Sequence, residues 1–212
     1  MNNELTELVL IVDKSGSMGW GGASQEAEVG INDLIEKQKQ ETGQCKLTLV
    51  EFNDVITTKH DGVSLDSMEP YFMSPNGGTA LFDAVGTTID KVGERLADTP
   101  EAERPGLVVV VIVTDGGENS SKEYTGDQVA EKVTTQRDTY NWQFTFLGAG
   151  EEAFAGGAAI GIDLSSSGLY DTAKTQIMYR CVSENISNMR SAALSGSAVY
   201  SSFTDEQRAE MR

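Results

Sequence analysis

Histidine is nearly missing from this chain: among 212 residues only His60 carries an imidazole. The commonest general base and nitrogen ligand is therefore scarce, and His60 itself lies on a polar segment that reads as a solvated sheet edge. Cysteine is scarce as well. Cys45 and Cys181 are too few and too widely separated for a disulfide scaffold or a zinc site. The expectation is two buried, reduced thiols in a cytoplasmic protein. Basic residues are outnumbered 33 to 16, for a net charge of −17. With no Lys/Arg cluster to neutralise phosphates, no nucleic-acid partner is expected. Long apolar runs are missing too. None approaches the roughly 18 residues of a membrane helix, and no basic-then-apolar leader opens the chain, so no membrane association is expected.

The apolar residues that are present alternate between two periods. Leu8–Val12, Lys46–Phe52, Val55–His60, Leu107–Val113 and Trp142–Leu147 read as strands. The segment after Asn53-Asp54 is polar and returns antiparallel beside its neighbour, as an edge strand does. Between the strands, Ala23, Ala27, Ile31, Leu34 and Ile35 share one helical face. Leu81, Val85, Ile89, Val92 and Leu96 do the same. Val129, Val133 and Tyr140 mark a third helix, and Ile177, Cys181, Met189 and Ala193 a last long one starting near Asp171. Gly148 to Ile162, rich in glycine and alanine, carries little periodic signal. Strands alternating with helices predict one doubly wound α/β domain over residues 1–196. Residues 197–212 form a tail or short helix.

Such sheets bind ligands at the carboxyl ends of their strands, where the strand order switches. Asp13-Lys14-Ser15-Gly16-Ser17 sits at the first of these ends. One carboxylate and two hydroxyls, spaced by two along an extended loop, can face a common point. Thr114-Asp115-Gly116-Gly117 follows the most apolar strand, and Asn76-Gly77-Gly78-Thr79 opens a helix. Oxygen donors of this kind suit a hard divalent cation. Asp13 precedes the glycines and so is badly placed to cap the next helix. Thr79 is well placed to cap its own, a role compatible with metal contact. Asp83 reads as structural, where its charge suits a helix start. Trp20, set among glycines, reads as an exposed rim residue.

Asp-x-Ser-x-Ser, a threonine after paired glycines, and Thr-Asp-Gly occur here in that order. The set resembles the von Willebrand factor type A (vWA) domain with its metal-ion-dependent adhesion site, in the stand-alone bacterial or phage form. The resemblance covers roughly residues 5 to 195. It implies a mostly parallel six-stranded sheet with one antiparallel edge strand and helices on both faces. It further implies one divalent ion, Mg2+ or else Mn2+ or Ca2+, held by Asp13, Ser15, Ser17, Thr79 and Asp115. A protein partner's Asp or Glu would complete the coordination, without catalysis. AAA+ ATPase systems are among the partners it implies.

Two other readings compete. An aspartate after the first strand is also the nucleophile position of dehalogenase-like phosphatases, which makes Asp13 a candidate in a metal-dependent hydrolase. Those enzymes place a second acid two residues on, and here that position is Ser15. Gly16 to Gly22 follows a strand and precedes a helix like a dinucleotide fingerprint, but the glycine spacing is wrong.

Overall fold

A computed structural model describes all 212 residues. Six strands, β1 (Asn2–Asp13), β2 (Gln44–Phe52), β3 (Ile56–Ser64), β4 (Pro105–Thr114), β5 (Gln143–Ala149) and β6 (Ser167–Tyr170), form one sheet. Their order is β3-β2-β1-β4-β5-β6, parallel except for β3, which pairs antiparallel with β2. The polar strand expected after Asn53-Asp54 is this edge. Its side chains are exposed or half-buried throughout, as an uncovered edge requires.

The helices are α1 (Ala23–Lys39), α2 (Leu81–Asp98), α3 (Gly126–Tyr140), α4 (Gly150–Ala159), α5 (Thr175–Leu194) and α6 (Asp205–Met211). Alternation along β1 sends Leu8, Leu10 and Val12 to one face and Val9 and Ile11 to the other. The first face is covered by α1, α5 and α6, the second by α2 and α3, with α4 against β5. Both faces are thus buried, and β1 and β4 read as the unbroken apolar runs that such strands need.

Two elements lie outside the sequence expectations. α4 falls within Gly148–Ile162, and its Gly156 and Gly157 let it settle on the Phe146 ring. β6 is only four residues long. Tyr140 does end α3, but its ring is exposed rather than part of the buried stripe formed by Val129 and Val133. Beyond α5 the chain turns back across β6. Asp171 donates its N–H to the Met211 carbonyl, Phe203 to that of Ser165, and the Met211 side chain is fully buried.

The strand order reverses between β1 and β4, so their carboxyl ends flank the crevice where ligands bind such sheets. Asp13 ends β1, and Thr114 ends β4 with Asp115 just beyond it.

Candidate metal centre

The extended end of β1 holds Asp13 fully buried, and both of its oxygens are engaged. Oδ1 accepts the Ser15 N–H at 2.7 Å, an Asx-type turn that bends the loop over the strand end. Oδ2 accepts the Thr114 hydroxyl at 2.6 Å across the β1–β4 gap. The Ser15 and Ser17 hydroxyls lie 3.0 Å apart, and Ser17 donates to Asp115 Oδ1 at 2.8 Å. Asp13, Ser15, Ser17 and Asp115 are therefore linked in one chain of hydrogen bonds. The intervening Lys14 points elsewhere. Its ammonium meets the buried Glu51 carboxylate at 3.1 Å, so the loop's own cation leaves the two aspartates uncompensated.

Thr79 arrives from a different loop. Gly16 donates to the Gly77 carbonyl and Asn76 to that of Lys14, which lays the two loops side by side. Gly77 takes a left-handed φ of 77° there, a conformation glycine adopts without strain. Asn119 Oδ1 accepts the Thr79 N–H at 2.9 Å. The expected cap does not form: α2 starts after Ala80 and receives no capping bond from its own segment. Glu118 supplies one instead, accepting the Phe82 N–H at 2.9 Å, and the Thr79 hydroxyl is released for the crevice. Asp83 accepts the backbone N–H groups of Lys122, Glu123 and Tyr124, which bears out its structural reading and pins the loop after β4 to α2.

Gly116 shows how closely these oxygens converge. A methyl group built on it would lie 3.2 Å from Thr79 Oγ1, 3.8 Å from Ser17 Oγ and 4.0 Å from Asp13 Oδ2. The structure thus brings all five expected side chains to one crevice. Asp13, Ser15 and Thr79 form its buried floor, while Ser17 is exposed and Asp115 half-buried at the open side. The chain holds no cluster of three or more His, Cys, Asp or Glu residues suited to a metal. Hydroxyls therefore dominate this donor set, which fits a small hard cation rather than a thiophilic one.

Burial pushes the Asp13 carboxyl up to about 6, against the lowering effect of its Thr114 and Ser15 hydrogen bonds. Burial also raises Asp115. A buried carboxylate and a half-buried one with no basic partner favour either a proton or a cation. Sequence reasoning missed Thr114, Glu118 and Asn119. Only Thr-Asp-Gly hinted at the first, and nothing local marks the other two, whose partners lie about forty positions away.

Trp20 closes the 3-10 turn Gly16–Gly19, its N–H on the Ser17 carbonyl, and its ring is 79% exposed. That bears out the rim placement.

No protein-family model matches this sequence, and no curated protein is similar to it. Solved structures are similar in fold. Proximal thread matrix protein 1 from the mussel byssus superposes with a TM-score of 0.63 at 17% identity, over 85% of this chain and 45% of that one. A further structure of that protein is described as having a zinc-occupied MIDAS motif. A von Willebrand factor type A protein from Catenulispora acidiphila gives 0.63 at 18% identity, over 86% of this chain and 43% of that one. The manganese-loaded TRAP protein of Plasmodium vivax gives 0.56 at 20% identity, over 83% and 72%. The chain thus spans less than half the length of the first two. The fold is that of a vWA domain.

Proposed function

We propose that this chain, folded as a vWA domain, is a binding module that captures a protein partner through a divalent ion and does no chemistry on it. Asp13, Ser15, Ser17, Thr79 and Asp115 would hold one ion, Mg2+ with Mn2+ or Ca2+ as alternatives. Bound there, it offers Lewis acidity to an Asp or Glu carboxylate of the partner. The observation that carries the reading is that oxygens of Thr79, Ser17 and Asp13 converge within 4.0 Å of where a Gly116 side chain would start, with Ser15 and Asp115 hydrogen-bonded to Ser17 at the same β1–β4 switch point. Metal-bearing proteins of the same fold support it. Two buried free thiols suit a reducing compartment, so a cytoplasmic setting belongs to the reading. No helix is long and apolar enough to cross a membrane. AAA+ ATPase systems are the partner class to test first.

The hydrolase reading is the weaker one. Such a hydrolase would need a second acid two residues after Asp13, and Ser15 stands there. His60 sits opposite Leu49 on the edge strand β3, away from the crevice, and offers it no base. Titration calorimetry with MgCl2 and MnCl2 tests the proposal. One ion per chain should bind wild type, and Asp13→Ala should weaken binding by at least about tenfold, since it removes a buried anionic ligand. Equal heats from both proteins would reject the site. Turnover of an aryl phosphate that Asp13→Ala abolishes would reinstate the hydrolase.

A further inference from the structure

The rim of this crevice is chemically polarised. On the β1 side stands Trp20, 79% exposed. It is raised on a turn whose next two residues, Gly21 and Gly22, take left-handed φ values of 60° and 87°. Nothing lies within 4 Å of where a Gly21 side chain would start, so the turn beside the indole is open to solvent. The neighbouring Gly19 approaches the Pro75 ring of the Thr79 loop, which places the turn directly beside the metal loops. On the β5 side stand Glu151 and Glu152, both exposed in the first turn of α4. The Glu152 carboxylate overlies Gly117, where an added methyl group would meet Oε1 at 2.8 Å. No basic side chain pairs with either glutamate at ion-pair distance.

An exposed tryptophan stabilises no core, yet it is among the side chains that most often dominate binding energy. Glu152, unpaired over Gly117 with Glu151 just before it on α4, on a chain of net charge −17, repels an acidic surface except where an ion intervenes. We infer that Trp20 anchors the partner, and that the partner is a segment of defined chemistry. An apolar side chain rests on the indole, a carboxylate points into the crevice, and a Lys or Arg faces Glu151 and Glu152. This inference rests on the ion-mediated reading and adds to it the residues that select among carboxylate-bearing partners.

The test is a phage-displayed library of random linear peptides, panned on immobilised protein in MgCl2 and eluted with EDTA. Eluted sequences should share an Asp or Glu flanked by an apolar and a basic residue. Synthesised, the enriched peptide should bind Trp20→Ala roughly tenfold or more weakly than wild type. It should bind Glu151→Gln/Glu152→Gln more weakly with a shallower salt dependence. Tyr140→Ala, at another exposed aromatic at the opposite end of the sheet, should change affinity less than about twofold. Mg2+ affinity measured without peptide should be the same in Trp20→Ala as in wild type, since the indole supplies no ligand. If eluted peptides carry a fixed carboxylate with random neighbours, or bind Trp20→Ala as well as wild type, the anchor is wrong and the ion-mediated reading stands. If nothing elutes with EDTA, the ion-mediated reading fails and the anchor with it.

Discussion

At the residue scale, Asp13 sets the pH behaviour of the site. Its folded pKa of about 6 lies above its ordinary value of 3.8. The folded chain therefore holds a proton that the unfolded chain releases between those values, and this residue's contribution falls as pH rises through that window. Two pKa units correspond to about 3 kcal/mol. In EDTA at pH 7.5, Asp13→Asn should be the more stable protein by up to roughly that amount in urea unfolding, with the gap narrowing as pH falls below about 6 and closing below 3.8. A gap independent of pH would mean that Asp13 is not buried as described. The thiols behave oppositely to reactive ones. Both are buried, and burial pushes Cys45 up to about 11 and raises Cys181. Ellman's reagent at pH 8 should find them only after denaturation. At this scale the candidate ligands could be read from the sequence because each follows a strand end or a glycine pair. Thr114 could not, because a threonine closing a strand looks like any β-branched residue until Asp13 is placed opposite it.

At the element scale, α1 and α5 cross at Gly30. A methyl group there would meet the Tyr179 ring at 2.2 Å, so Gly30→Ala should destabilise the protein by roughly 1–3 kcal/mol through overpacking, despite alanine's better helix propensity. Denaturant titration reads that loss. Farther along, Arg190 of α5 donates to the Gln38 and Gly43 carbonyls at the end of α1, and Gln38 returns a bond to the Ser183 carbonyl. An arginine whose two terminal nitrogens are held by carbonyls at and just beyond a helix C-terminus restricts how far α5 can shift along its axis. A disulfide joining α5 to α1 should therefore leave Mg2+ affinity unchanged, whereas a change would reveal a helix that slides with ligation. The helices α1, α2, α3 and α5 were visible as apolar stripes. β6 has four residues, too few for a period to register, and α4 is mostly small residues whose packing depends on the absence of side chains.

At the scale of the whole molecule, the last residues are part of the packing. Arg208 of α6 donates to the Leu164, Ser165 and Ser167 carbonyls beneath β6, and Met211 is fully buried against Gly168. Removing residues 204–212 should lower the melting temperature by roughly 5–10 °C, from about 2–3 kcal/mol of lost burial. A smaller change would make the segment dispensable. A final consequence follows from how Glu118, Asn119 and Asp83 tie the loop after β4 to the start of α2. Stitched this way, the Asp115 and Thr79 loops behave as one stiff body whose spacing from Asp13 is set by the β1–β4 ladder. A stiff cage cannot breathe outward to admit a larger ion, and Ca2+ needs oxygens at about 2.3–2.6 Å where Mg2+ needs about 2.1 Å. At the proposed ion site, ionic radius would then be the quantity that is discriminated. Loosening one stitch with Asn119→Ala should narrow the Mg2+-over-Ca2+ preference in competition calorimetry, mainly by letting Ca2+ bind better.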